Sequence, residues 1–224
     1  MISDRLPQQP TIFDSWLSIL RREKIIAVIR SPEFNVGLAM AEAVAKGGIK
    51  LIEITWNSQQ PLLLVEELRI RLPHCIIGAG TILNQSQLHD AISSGAQFIF
   101  SPHFDVNLLE IAVHSQQIPY IPGVLTPTEI VTAYSQGASA LKIFPVSAMG
   151  GASYLKSLQA PLGNFPLIPT GGVTIANAPL MIAAGAIAVG LSGDLFPESF
   201  VKTANWQQIS DRAQQLLNKV RFTE

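Results

Sequence analysis

The stretch SALKIF, residues 139–144, places one charged side chain, Lys142, in a run that is otherwise small or apolar. Short apolar runs of this length read as buried strands. An ammonium buried there carries a large desolvation penalty unless it is paired or gives up its proton. The run has seven counterparts along the chain: IIAVI (25–29), KLIEIT (50–55), CIIGAG (75–80), QFIFS (97–101), IPYIP (118–122), PLIPT (166–170) and AIAVGL (186–191). Between them lie segments with helical patterning at Asn35–Lys46, Pro61–Arg71, Asn84–Ser94, Asp105–His114, Pro127–Gln136, Gly151–Leu158 and Ile175–Ala184. Several of these open on an N-cap residue or an N1 proline and stop at Gly47, Gly95, Gly137 or Gly185.

About eight βα units in 224 residues predict one domain, residues 1–224, folded as an α/β (β/α)₈ TIM barrel. An extra N-terminal helix, Phe13–Glu23, is expected to cap the bottom, with residues 1–11 loosely held. An open parallel sheet is the alternative, because a sequence does not show whether the first and last strands pair.

The chain is 48% apolar and 14% charged, with a formal net charge of −1 and no basic stripe, which argues against nucleic acid as a partner. Its single cysteine, Cys75, leaves no disulfide framework within the chain and suits a reducing, cytoplasmic setting. MISDRLPQQPTIFDSW lacks the continuous apolar core of a signal peptide, and no later segment reaches the length of a membrane span.

Side chains alternate between the two faces of a strand, and one face of a barrel strand lines the packed interior. In ALKIF, Leu141 and Ile143 are expected to face the helices, leaving Ala140 and Lys142 inside. In LIEIT, Ile52 and Ile54 face outward and Leu51, Glu53 and Thr55 inward. The same parity brings Arg30, Thr81 and Thr170 to the C-terminal mouth, where barrel enzymes keep their chemistry. Two bland readings compete: a structural Lys142–Glu53 ion pair, or a register slip that sends both charges outward.

The chemical reading is that an amine in a dry pocket near a second cation has its pKa lowered from about 10.4 toward ~7–8, so that the neutral form can attack a carbonyl. Arg30 is positioned to be that cation, and Glu53 to carry protons. Loops after the last two barrel strands often hold phosphate on glycine amides. PTGGVTIAN (169–177) and VGLSGDL (189–195) supply Gly171, Gly172, Gly190 and Ser192 for that role.

These residues and the motifs KIIAVIR, LIEITWNS, IIGAGTIL, FIFSPHFD, IPGVLTPTEI, LKIFP, PTGGV and AVGLSGDL resemble the 2-keto-3-deoxy-6-phosphogluconate / 4-hydroxy-2-oxoglutarate aldolases over nearly the whole chain. The resemblance implies a class I, Schiff-base aldolase that needs no cofactor and assembles as a homotrimer. It marks Lys142 as the Schiff-base lysine with Phe144 beside it, and Glu53 as the general acid/base. Thr81, Pro102 and Thr170 would surround bound pyruvate, and Gly171, Gly172 and Ser192 the phosphate. The expected substrate is a keto-acid phosphate cleaved to pyruvate and an aldehyde.

There is one departure. Many members carry an arginine for the substrate carboxylate shortly after the glutamate, where this chain has Asn57. The 6-phosphogalactonate aldolases are similar there, so the sugar epimer stays open, and Arg30 or Asn57 could hold the carboxylate. A non-covalent sugar-phosphate isomerase or epimerase, or a silent keto-acid binder, would use the same pocket without a covalent step.

Other signals are weak. GAGTIL (78–83) lacks the third glycine of a dinucleotide fingerprint, and the SG pair at 192–193 is out of frame for a nucleophile elbow. His74, His89, His103 and His114 lack metal-ligand spacing, so no metal is expected. His103, after the fourth strand, reads as a loop residue near the mouth.

Overall fold

The computed structural model describes residues 12–221, so the expectation about residues 1–11 falls outside the described residues. Strands β1 (Ile25–Ile29), β2 (Leu51–Thr55), β3 (Ile76–Gly80), β4 (Ile99–Phe100) and β5 (Tyr120–Ile121) alternate with helices α2 (Phe34–Lys46), α3 (Pro61–Arg71), α4 (Gln85–Ser93) and α5 (Val106–Leu109), the last running on as a π-helical turn, Glu110–Ser115. Then come β6 (Gly123–Val124), α6 (Pro127–Ser135), β7 (Leu141–Ile143), α7 (Ala152–Leu162), β8 (Leu167–Pro169), α8 (Ala178–Ala183), β9 (Val189–Leu191), α9 (Glu198–Lys202) and α10 (Trp206–Arg221). Helix α1 (Ile12–Glu23) precedes them all.

The result is a mixed α/β fold on curled parallel sheet. Six strands pair in the order β5-β4-β3-β2-β1-β9 and three in the order β6-β7-β8. The expected fifth strand is therefore two short pieces divided at Pro122. Proline has no N–H for a ladder, yet the Pro122 carbonyl still accepts the Lys142 amide at 2.9 Å. Across the other gap, Thr170 and Gly190 form a single parallel bridge. Strands are shorter than the apolar runs foretold because their ends pass into turns while staying buried.

Two apolar clusters follow the expected parity. Ile52, Ile54, Leu141 and Ile143 pack outward with the helices. Ile26, Val28, Leu51, Phe98, Phe100, Ile121, Ala140, Ile168 and Ala188 form a separate inner cluster with Trp16 and Leu20 of α1. Trp16 stacks on Phe98 at 5.0 Å between centroids, and Phe98 meets Phe100 edge-on. The expected bottom-capping helix is thus a plug whose indole belongs to the interior. A Cβ on Gly78 would run into the Phe98 ring, so a glycine in β3 makes room for the plug's partner.

The C-terminal helix α10 has no counterpart among the helical segments read from sequence. It lies against α2, where a Cβ on Gly47 would collide with Ala213 and the Ser210 carbonyl.

Removing the plug should cost stability in a graded way. Trp16→Ala is expected to lose ~3–5 kcal/mol in urea unfolding, the range for emptying a large aromatic site. Trp16→Phe should lose much less, because it keeps a ring on Phe98 and deletes an indole N–H that has no partner among the described residues.

Candidate active site

One cavity of about 630 Å³ opens at the C-terminal ends of the strands. It is lined by Arg30, Glu53, Thr81, Pro102, Lys142, Phe144, Thr170, Gly171, Gly172, Gly190 and Ser192, every site residue read from sequence except Asn57. A volume of this size suits a small metabolite.

Lys142 stands mid-strand in β7 and is 5% exposed. Its Nζ lies 5.0 Å from the centroid of the Phe144 ring and 5.6 Å from that of Phe100. Glu53, on β2, is 1% exposed, and its Oε1 has no hydrogen-bond partner among the described residues. The two side chains form no ion pair among the described residues, which removes the structural-pair reading. Burial pushes the Glu53 carboxyl above the ordinary carboxylate range, while the positive charges of Lys142 and Arg30 pull it back. A buried amine and a carboxyl oxygen without a protein partner among the described residues thus share one cavity.

Glycines shape the walls. A Cβ on Gly80 would overlap Glu53 Oε1, so β3 leaves the slot in which that carboxyl sits. Thr81, next in line, holds φ +60°, a left-handed conformation rare for a β-branched residue. A Cβ on Gly123 would strike the Pro102 carbonyl, so its absence lets the loop after β4 lie against β6. Gly171, at φ +82°, accepts the Phe144 ring, which would lie only 3.0 Å from an added Cβ. Gly172, at φ +84°, makes the same allowance for Ser147.

Asn57 is exposed and stands outside the lining. Its Oδ1 accepts the Arg30 Nε–H at 3.2 Å. His103 accompanies Pro102 in a neighbouring cavity behind Phe144, and its Nδ1 lies 3.0 Å from Ser101 Oγ. Its position accords with the loop reading.

Residues 17–212 match the family model described as Aldolase: KDPG and KHG aldolase. The chain belongs to this family. It is an aldolase, and hence a lyase. A 2-dehydro-3-deoxy-phosphogluconate aldolase from Pseudomonas aeruginosa is 32% identical over 92% of this chain and 93% of its own. A KHG/KDPG aldolase from Escherichia coli is 29% identical over 88% and 92%. Among solved structures, a KDPG aldolase from Legionella pneumophila, captured with pyruvate as a covalent carbinolamine intermediate, superposes with TM-score 0.82 at 29% identity, covering 94% of this chain and 99% of that one. A native KDPGal structure gives TM-score 0.79 at 32% identity, covering 88% of this chain and 94% of that one.

The cavity of this aldolase also contains residues absent from the sequence-derived site. Val28 and Thr55 follow from strand parity. Val173, Thr174, Gly193 and Asp194 extend the two glycine loops. Asp194 carries a signal that sequence alone does not decode, since its carboxylate is turned aside: Oδ2 accepts the Ile175 amide at 2.9 Å and lies 3.2 Å from Arg212 Nη2.

The sign of the Glu53 shift gives a titration test. A carboxyl whose folded pKa lies above its unfolded value contributes stability below the unfolded value and loses it as pH rises through the folded one. Glu53→Gln cannot ionise, so relative to the native chain it should gain stability as pH rises above the ordinary carboxylate range. NMR titration of the Glu53 carboxyl should also move further upward in Arg30→Ala, which removes a charge that lowers it.

Proposed function

We propose that this aldolase cleaves 2-keto-3-deoxy-6-phosphogluconate into pyruvate and glyceraldehyde 3-phosphate through a Schiff base on Lys142. The observation that carries the reading is that the buried Lys142 and Glu53, whose Oε1 has no hydrogen-bond partner among the described residues, line one cavity. The pyruvate carbinolamine in the Legionella relative supports a covalent route in a chain of this kind.

The Lys142 amine adds to the C2 carbonyl carbon, and loss of water leaves an iminium. The C4 hydroxyl gives its proton to Glu53 as the C3–C4 bond breaks. That bond's electron pair flows toward the cationic nitrogen, giving an enamine, and C4 departs as the aldehyde carbon. Glu53 then returns a proton to C3, and water hydrolyses the pyruvyl iminium to free pyruvate and Lys142. All of this chemistry uses the chain's own side chains.

Thr81, Pro102, Phe144 and Thr170 enclose the pyruvyl half in this reading. Arg30 holds the carboxylate, because it lines the cavity and Asn57 does not. Gly171, Gly172, Gly190 and Ser192 receive the phosphate. The 6-phosphogalactonate epimer is the alternative substrate, since Asn57 stands where the resemblance to the galactonate aldolases has an asparagine. Comparing cleavage of the gluconate, galactonate and hydroxyoxoglutarate substrates ranks them.

The same proposal extends to architecture and setting. We infer a closed (β/α)₈ barrel, with β5 and β6 as one strand bent at Pro122 and the Thr170–Gly190 bridge as the closing seam. A homotrimer accords with the outward Leu63 and Ile70 on α3, the latter 75% exposed. It also accords with a 32% identical chain in a cage built from symmetric oligomeric domains; sedimentation measures it. A buried, single Cys75 suits the reducing cytoplasm.

Lys142→Met exchanges the amine for an apolar chain of similar length. It should stay folded and lose the borohydride-trapped pyruvyl adduct seen by mass spectrometry. A retained adduct would move the nucleophile to another lysine, such as Lys24 or Lys50. Glu53→Gln should still trap pyruvate but lose about 10²–10⁴-fold in turnover.

Ser192→Asp would set a negative charge against the phosphate. Cleavage of the phosphorylated substrate should collapse while unphosphorylated 4-hydroxy-2-oxoglutarate loses little, because the phosphate's binding energy positions the reacting carbons. Equal losses on both would remove Ser192 from the phosphate site.

A further inference from the structure

The turns after β1 and β2 are fastened together by buried hydroxyls. Ser58 Oγ accepts the Ser31 amide at 3.1 Å and lies 3.2 Å from Thr55 Oγ1, and Ser31, Thr55 and Ser58 are all buried. The Gln59 amide donates to the Ser31 carbonyl at 2.8 Å, and the Ser58 amide to Thr55. Gln59 Oε1 in turn takes the Phe34 amide at the start of α2. The residues preceding the two fastened serines are Arg30 and Asn57, the pair joined by the 3.2 Å hydrogen bond.

Arg30 stands on a partition. It lines the catalytic cavity and also a second cavity of about 730 Å³, which reaches Met40, Phe196 and Trp206. Its long, exposed side chain has rotamers to lose and room on either side. The bond from Nε to Asn57 fixes the plane of the guanidinium and leaves the other N–H groups for a ligand. That bond can act only if the two turns keep their spacing.

We propose that Ser58 is a positioning residue for Arg30: its hydroxyl locks the β1 turn to the β2 turn, so that Asn57 holds the guanidinium toward the catalytic cavity. The inference rests on the reading of Arg30 as the holder of the substrate carboxylate. Ser58 touches no substrate in this account and acts on affinity through Arg30.

The test is steady-state cleavage of 2-keto-3-deoxy-6-phosphogluconate by the full chain. Ser58→Ala should raise KM about tenfold with kcat changed by less than about threefold, the pattern of lost uniform binding. Ser58→Thr, which keeps the hydroxyl, should restore KM. In an Arg30→Ala background, Ser58→Ala should add nothing, since residues acting through one another are non-additive. A Ser58→Ala penalty that persists undiminished in that background, or that falls on kcat as heavily as on KM, overturns the inference, as does an unchanged KM in Ser58→Ala.

If Ser58→Ala proves unfolded at the assay temperature, exposed Asn57→Ala carries the same expectations, because it removes the acceptor at the other end. An Arg30→Ala enzyme with native KM overturns the underlying reading of Arg30 and the inference with it. Borohydride trapping of pyruvate on Lys142 in each variant separates that result from a failure of the Schiff-base chemistry.

Discussion

Everything at the mouth of this molecule follows from the two-residue period of a parallel strand covered on both faces. Each strand must send alternate side chains into the interior, and an interior enclosed by apolar strands offers little water to solvate a charge. Lys142 and Glu53 occupy such inward positions on β7 and β2. They remain without a mutual ion pair, so the desolvation they suffer is offset only by longer-range attraction. For Glu53 the desolvation outweighs that attraction, and its pKa is raised.

The interior is divided along its length. Toward the bottom, Trp16, Phe98, Leu51 and Ala188 fill it with carbon, and toward the top the same strands present Glu53, Lys142 and Thr170. Phe100 marks the boundary, since it packs edge-on against Phe98 and also lies near the Lys142 ammonium. Apolar filling and polar lining thereby occupy successive layers of one core. Glycines at positions 78, 80 and 171 adjust the spacing where a large side chain from one strand crosses its neighbour.

Much of this was legible in the sequence because it depends on local rules. The alternation in ALKIF and LIEIT identified the inner and outer faces, and the glycine loops after the last two strands were recognisable by composition. What escaped depends on long-range geometry. No local pattern in residues 118–124 says that Pro122 divides the fifth strand between two sheets. Helix α10 is the exception: it went unread although Ile209, Ala213, Leu216, Leu217 and Val220 recur at helical spacing, which is a local signal. Asn57 was assigned to the substrate carboxylate by its place in the resemblance, where many members carry an arginine; it lies in the turn after β2, outside the cavity lining, with its Oδ1 on Arg30. Asp194 was not read as part of the site, and only the fold brings Arg212 from α10 to face it.

That Arg212–Asp194 contact makes the far end of the chain part of the entrance. Arg212 also donates through Nε to the Asp194 carbonyl at 3.0 Å, so the guanidinium steadies both the backbone and the charge of the loop after β9. A truncation placed before Arg212 would leave the Asp194 carboxylate beside Ser192 and Gly193 without its guanidinium partner. A fusion joined beyond Arg221 would leave the contact whole. The boundary for redesigning this chain as a building block therefore lies within its last helix.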